Sequence, residues 1–160
     1  MLMHLEPIFP RVGIVGTGAM GRGIAQLAAQ AGSQVWLLDV QPGAAEAARS
    51  AIAQQWQRLA DKGRMDAAQV AAQTARLQVA ASVADLAQCG LVVEAIVERL
   101  DAKQALLASL EAVLAPGAVL ASNTSSLSIT ALGACLQRPE RLAGFHFFNP
   151  VPLMKVVEVV

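Results

Sequence analysis

Cysteine is scarce in this 160-residue sequence: Cys89 and Cys135 are the only two, and no CxxC spacing joins them. Two cysteines in a chain of this size do not make the disulfide framework of a small secreted protein, and they indicate no metal site. We therefore expect both thiols to be small, buried hydrophobic groups in a reducing compartment.

A net charge is also lacking, because 12 Lys and Arg residues balance 12 Asp and Glu residues. Without a general positive field, binding to nucleic acid or to an anionic membrane surface is disfavoured. No apolar stretch reaches the ~20 residues of a membrane-spanning helix. The start, MLMHLEPIFP, lacks the basic flank and apolar run of a signal peptide, so we expect a cytoplasmic protein with His4 in a mobile leader.

Apolar residues, in contrast, are abundant: they make up 55% of the sequence, against 15% charged residues. This balance is typical of parallel sheets that are buried on both faces. Predicted strands are Arg11–Val15, Gln34–Leu38, Leu77–Ala80, Leu91–Ala95, Val119–Ser122, Leu142–His146 and Lys155–Val160. Helix signals lie between them: helical spacing of apolar residues up to Gly32, a helix from Pro42 to Lys62, one capped by Asp66, and others capped by Ser82, Asp101 and Ser128.

Strands that alternate with helices predict one α/β domain over residues 1–160, with a doubly wound, mainly parallel sheet. The two helices that follow the second strand resemble an arm. A GxGxxG motif follows the first strand and opens the first helix, which makes the prediction a Rossmann-type fold. The motif consists of Gly16, Thr17, Gly18, Ala19, Met20 and Gly21.

Each glycine of this motif has a physical task in a dinucleotide-binding loop. Gly16 allows the tight turn, Gly18 lets the backbone approach a pyrophosphate, and Gly21 lets the helix pack closely on the strand. The free N–H groups of the helix then face the anion. Asp39 ends the second strand, about the ~20 residues further on that the fingerprint requires.

A carboxylate at Asp39 can accept hydrogen bonds from both ribose hydroxyls and would repel a 2′-phosphate. Val40 and Gln41 offer no arginine to offset that repulsion, so NAD is favoured over NADP. The alternative is a plain glycine turn with a solvent-facing Asp, which the combination of strand, loop, helix and acid disfavours. FAD proteins use the same fingerprint, so the rest of the chain must decide the chemistry.

His146 stands at the end of an apolar strand, where open α/β sheets bind ligands. A lone histidine in such a run is more often a core residue than a catalyst. Glu158 lies on a second apolar run, KVVEVV, where burial of an unpaired carboxylate would be unfavourable. We therefore expect Glu158 to pair with His146.

Four segments together carry a resemblance: GTGAMGRGIAQ, the VVEAIVE run, ASNTSSL, and GFHFFNPVPLMKVVEVV. With them the chain from Arg11 to Val160 resembles the NAD-binding domain of the L-3-hydroxyacyl-CoA dehydrogenase family, in its 3-hydroxybutyryl-CoA dehydrogenase-like members. The resemblance implies NAD-dependent oxidation of a 3-hydroxyacyl-CoA to a 3-ketoacyl-CoA, in the catabolism of fatty acids or of aromatic-derived acyl-CoA.

The same resemblance implies site roles. His146 would be the general base and Glu158 the carboxylate that orients it. Ser125 and Asn149 would lie near the substrate oxygen and the nicotinamide, although both also suit turns. Other implied positions are Ala95 and Glu98 beside the cofactor and Lys103 at its edge with the acyl-CoA; on their own, Glu98 and Lys103 suit a solvated helix start.

The helices after the second strand would lie near the CoA moiety. They carry basic residues that could bind its phosphates, although a solvated helix face explains each of them equally well. These residues are Arg49, Arg58, Lys62, Arg64 and Arg76.

The family has a further helical domain that completes the acyl pocket and mediates dimerisation. We expect it to be absent from this chain, which would leave an apolar docking face exposed and give poor turnover in isolation. The full-length protein is expected to be a homodimer. No hydratase domain is expected before residue 1. Alternative functions are oxidation of a free hydroxy acid of the gulonate type and a non-catalytic NAD-binding module.

Overall fold

The computed structural model describes residues 5–160, so His4 lies outside the described residues. The strands are β1 (Arg11–Val15), β2 (Gln34–Leu38), β3 (Leu77–Val79), β4 (Leu91–Glu94), β5 (Val119–Ser122), β6 (Leu142–Phe147) and β7 (Val157–Val159). The α-helices are α1 (Ala19–Gln30), α2 (Ala44–Asp61), α3 (Ala67–Ala75), α4 (Leu100–Val113) and α5 (Ile129–Gly133). Short 3₁₀ helices occupy Val83–Leu86 and Pro139–Arg141.

The seven strands form one sheet in the order β3-β2-β1-β4-β5-β6-β7. Neighbours are parallel from β3 through β6, and only β7 runs antiparallel, against β6. This confirms the Rossmann-type, mainly parallel fold. The strand order reverses between β1 and β4, so a crevice opens beyond the carboxyl ends of these strands.

Two apolar clusters cover the two faces of the sheet. On one face α1 and α2 pack against the strands through residues such as Ile24 and Ile52. On the other face α4 and α5 do so through Leu107, Leu110 and Leu132. The sheet is therefore covered on both sides, as continuous apolar strands require.

The expected helical arm is the pair α2 and α3. It is anchored in the core, because Trp56 of α2 is fully buried and Val70 of α3 belongs to the same apolar cluster. Asp66 caps α3 as expected, with its carboxylate accepting hydrogen bonds from the Ala68 and Gln69 amides.

Three sequence expectations were wrong in detail. The long helix begins at Ala44 instead of Pro42, because Gly43 adopts a left-handed φ of 79° and breaks the helical path before it. Asp101 does not cap α4: Arg99 is the N-cap, and Asp101 lies in the first turn, where a carboxylate favours the helix dipole. Cys135 is exposed, whereas Cys89 is buried as expected.

Within residues 5–160, no helix combines the length and the hydropathy needed to cross a membrane. The described part of the chain also contains no group of three or more His, Cys, Asp or Glu residues placed to hold a metal ion.

Candidate active site

The glycine loop connects β1 to α1 in a way that leaves one glycine facing open space. A Cβ on Gly16, whose φ is 93°, would lie 2.6 Å from the carbonyl oxygen of Ala95. A Cβ on Gly21 would lie 1.7 Å from the carbonyl oxygen of Gly16. A Cβ on Gly18 would meet nothing within 4 Å, so the backbone there is accessible to a ligand.

Helix α1 starts directly behind this opening. Its N-cap, Gly18, has no side chain to occupy the first amides, and its first turn carries no acidic residue. Amides at a helix start that no side chain caps suit the binding of an anion such as a pyrophosphate.

Asp39 is held rigidly beside the loop. Its Oδ2 accepts hydrogen bonds from the Thr17 amide (2.8 Å) and the Thr17 hydroxyl (2.7 Å), and its Oδ1 accepts one from the Gln41 amide (3.0 Å). Partial burial opposes ionisation, but these hydrogen bonds outweigh it and hold the pKa of Asp39 below its usual value. A fixed anion therefore faces a cleft of about 360 Å³ that is also lined by Gly16, Gly18 and Ala95.

A second cleft, of about 350 Å³, lies on the other side of the loop at the carboxyl ends of β4, β5 and β6. It collects most of the residues that the resemblance names in the second half of the chain. Its lining includes Met20, Ala95, Glu98, Lys103, Ser125, His146 and Asn149. Ala95 lines both clefts, so they lie side by side across the sheet edge.

His146 and Glu158 are paired, as expected. They are direct neighbours in the antiparallel register of β6 and β7, and the distance from His146 Nδ1 to Glu158 Oε2 is 3.2 Å. The reason given for the pairing was wrong, because the Glu158 side chain is 60% exposed and is not buried in an apolar run. The pairing follows from strand register.

Glu98 is bound to the loop after β5. It accepts hydrogen bonds from the hydroxyls of Thr124 and Ser126. Partial burial opposes ionisation of Glu98, but the Thr124 hydrogen bond and the nearby Lys103 ammonium lower its pKa. Glu98 is therefore an anion at the edge of the second cleft.

Lys103 is not part of a solvated helix start, because only 1% of its side chain is exposed. Its Nζ donates to both carboxylate oxygens of Glu94, at 2.9 Å and 2.7 Å. Glu94 is itself fully buried and was missed in the sequence. The sequence pattern that points to Glu94 is a carboxylate directly after the apolar run LVV, because a carboxylate buried there needs a partner.

Two arginines of the helical arm are occupied by the protein itself. Arg49 Nε donates to the carbonyl oxygen of Leu77 at 2.9 Å, and an Arg76 guanidinium nitrogen donates to that of Ala29 at 2.8 Å. Arg49 thus connects the arm to β3, and Arg76 connects it to α1. Arg58, Lys62 and Arg64 are exposed, and their role as phosphate partners stays a prediction.

A glycine loop at a helix start, an acid fixed after β2 and a switch in strand order together define a dinucleotide-binding domain. The open space at Gly18 and the carboxylate of Asp39 fit the pyrophosphate and the ribose of NAD. Residues 11–160 match the family described as 3-hydroxyacyl-CoA dehydrogenase, NAD binding domain. The chain belongs to this family and carries its NAD-binding domain.

Known relatives agree with this assignment. A probable 3-hydroxybutyryl-CoA dehydrogenase of Bacillus subtilis is 42% identical over 92% of this chain and 51% of its own length. A 3-hydroxyadipyl-CoA dehydrogenase of Escherichia coli is 44% identical over 93% of this chain and 31% of its own length. The crystal structure of an Escherichia coli 3-hydroxybutyryl-CoA dehydrogenase superposes with a TM-score of 0.92 and 42% identity, covering 96% of this chain and 32% of that one. This chain thus spans about half of the Bacillus protein and about a third of the two from Escherichia.

Proposed function

We propose that the protein that carries this chain oxidises L-3-hydroxyacyl-CoA to 3-ketoacyl-CoA with NAD. The observation that supports it most is that His146, paired with Glu158, lines a cleft that Ser125 and Asn149 also line. A cofactor-binding module without chemistry has no need of a base and a carboxylate that orients it.

In this proposal His146 removes the proton of the substrate's 3-hydroxyl group. Its Nδ1 faces Glu158, so Nδ1–H donates to the carboxylate and the lone pair of Nε2 is left to act as the base. NAD, when held by Gly16–Gly21 and Asp39, would supply the acceptor for the hydride that leaves C3 as the C–O bond becomes a carbonyl. Glu158 stabilises the imidazolium that results.

Ser125 and Asn149 supply the polar groups that receive the substrate oxygen. Both line the cleft, and a hydroxyl and an amide can stabilise charge that develops on that oxygen. Glu98 and Lys103 line the same cleft, where we place Glu98 beside the cofactor and Lys103 at the edge between cofactor and acyl-CoA. Gly16–Gly21 and Asp39 would hold the pyrophosphate and ribose.

An assay of the full-length protein tests this function. NADH formation is followed with an L-3-hydroxyacyl-CoA and, separately, with a free hydroxy acid such as gulonate. We expect turnover of the thioester at a much higher kcat/KM. Faster turnover of the free acid would assign the enzyme to the other substrate class, and NAD binding without turnover of either would indicate a non-catalytic module.

We also propose that a second domain completes the acyl pocket. An apolar groove of about 490 Å³ supports it, between residues 5–9, helix α1 with Leu27, and strand residues that include Leu91 and Phe145. Burial of such a surface against another domain is favourable. Residues 1–160 in isolation should then bind NADH but turn over the thioester at a rate at least about a hundredfold lower than the full-length protein.

The full-length protein is proposed to be a homodimer that works in the cytoplasm. Light scattering coupled to size-exclusion chromatography, and fractionation of the source cells, test these two points. A monomer, or the protein in a secreted fraction, would contradict them.

A further inference from the structure

A buried polar network lies directly behind the second cleft. Its centre is the carboxylate of Glu94, the last residue of β4, which is fully buried. Ser122, the last residue of β5, pairs with Glu94 in the parallel register and donates its hydroxyl to Glu94 Oε1. Lys103, in the first turns of α4, donates to both oxygens. One carboxylate therefore connects two strands and a helix.

The same network fixes the backbone of the loop after β4. The Ile96 amide donates to Glu94 Oε2 at 3.1 Å, and Lys103 Nζ lies 3.4 Å from the Ile96 carbonyl oxygen. This loop contributes Ala95, Ile96 and Glu98 to the cleft. Both backbone polar groups of Ile96 are therefore bound to the network.

The loop after β5 is held in the same way. The Thr124 amide donates to the Ser122 hydroxyl oxygen at 3.2 Å. The neighbouring Asn123 accepts a hydrogen bond from the Phe147 amide at 2.9 Å, next to His146 in β6. The chain of contacts from Glu94 thus reaches the loop that carries Ser125 and the strand that carries the base.

Stability alone does not account for a buried ion pair at this place. Desolvation of two charges offsets much of their attraction, and a well-packed apolar pair often stabilises a fold as well or better. What an apolar pair cannot do is hold amides of two loops and an ammonium group at fixed positions. Lys103 Nζ is also 4.0 Å from Glu98 Oε2, at the cleft itself.

We infer that Glu94 is a positioning residue: acting through Lys103, Ser122 and the Ile96 amide, it sets the two loops that bind the nicotinamide end of NAD and the substrate oxygen. This inference rests on the proposed function. Glu94 touches neither cofactor nor substrate.

Kinetics and NADH binding of full-length variants test the inference. Glu94→Gln keeps the shape but directs an amide N–H at the Lys103 ammonium, and Ser122→Ala removes only the connection to the β5 loop. We expect kcat/KM to fall roughly tenfold to a hundredfold in Glu94→Gln, and NADH to bind more weakly. Ser122→Ala should show a smaller loss in the same direction, and Glu94→Asp should recover part of the activity.

Leu110→Ala is the matched control, because Leu110 is fully buried in α4 and lies outside the cleft. It lowers the thermal midpoint without touching the network, so kcat/KM and NADH affinity should stay within about twofold of the wild type. Should Glu94→Gln not fold, Ser122→Ala and Glu94→Asp carry the test.

The inference is overturned if the network variants keep wild-type kcat/KM and NADH affinity, or lose no more than Leu110→Ala at an equal thermal midpoint. The activity of the wild-type protein distinguishes failure of this inference from failure of the proposed function. If wild-type protein forms no NADH from the thioester, the proposed function fails; if it does and the variants match it, only the role of Glu94 fails.

Discussion

His146 and Glu158 face each other across the one antiparallel pair of the sheet, with His146 Nδ1 3.2 Å from Glu158 Oε2. Strand register, not burial, brings them together, because the Glu158 side chain is 60% exposed and that of His146 is 24% exposed. A contact this open to water gives little stability. Its value is in fixing which imidazole nitrogen carries the proton.

Glu158→Gln should therefore affect turnover more than folding. An amide at this place can still accept from Nδ1–H, but it does not stabilise the imidazolium. We expect kcat to fall about tenfold or more, with the KM for NAD and the thermal midpoint close to wild type. Steady-state kinetics and thermal unfolding check this. A loss of stability that matches the loss of turnover would assign Glu158 a structural role instead.

Substitution by alanine should weaken cofactor binding at Gly18 and destabilise the fold at Gly21. Gly18→Ala adds a methyl group to open space and should leave the thermal midpoint unchanged while weakening NADH binding about tenfold or more. Gly21→Ala places its methyl group against the Gly16 carbonyl and should destabilise the fold by about 1–3 kcal/mol. Thermal unfolding and NADH fluorescence titration measure both. Unchanged NADH affinity in Gly18→Ala would show that no phosphate approaches this loop.

Acid should destabilise the domain through Asp39 and Glu98. Hydrogen bonds lower the pKa of both carboxyls in the folded state, below ordinary values of 3.8 and 4.5. The unfolded chain then binds more protons, so their stabilising contribution is present above pH 4.5 and is lost as the pH falls through the lowered values. Each group changes the free energy of unfolding by at most about 1.4 kcal/mol per pH unit, and solvent screening reduces this change.

Urea unfolding between pH 6 and about pH 3 measures this loss. Asp39→Asn should flatten the dependence, because the amide does not titrate. An equally steep loss in that variant would show that Asp39 takes no part in it.

The two cysteines should react very differently. Cys89 is buried, and burial raises the pKa of its thiol to about 11, with Arg11 opposing; Cys135 is exposed. Because the thiolate is the reactive form, a thiol reagent at pH 8 should modify Cys135 but not Cys89 in the native protein, and both after unfolding. Mass spectrometry of the labelled peptides identifies the site. Rapid native labelling of Cys89 would contradict the burial of its side chain.

Sequence patterns predicted the fold and the glycine loop correctly, because each of these features depends on local properties of a few residue types. Alternating strands and helices predicted the parallel sheet, and GxGxxG with Asp39 predicted the dinucleotide loop, because glycine conformation and carboxylate chemistry act locally. The N-caps of α2 (Gly43) and α4 (Arg99) were missed. In both helices another residue with a preference for helix starts, Pro42 or Asp101, lies within two positions of the true N-cap.

The site was predicted less completely. Glu94 ends β4 and Lys103 lies in the first turn of α4, and the packing of α4 beside the strand brings the two side chains together behind the cleft. Lys103 therefore reads in the sequence as an exposed lysine at a helix start. The apolar run before Glu94 indicates that its carboxylate needs a partner, but the packing of α4 decides which cation that partner is.

The central claim is that His146 is the base of an NAD-dependent hydroxyacyl-CoA oxidation. The measurement that tests it most directly is the turnover of an L-3-hydroxyacyl-CoA by full-length His146→Gln, beside its NADH affinity. We expect a loss of kcat of about 10²–10⁴-fold with NADH affinity within about twofold of wild type. Turnover at the wild-type rate, with NADH bound equally well, would contradict it.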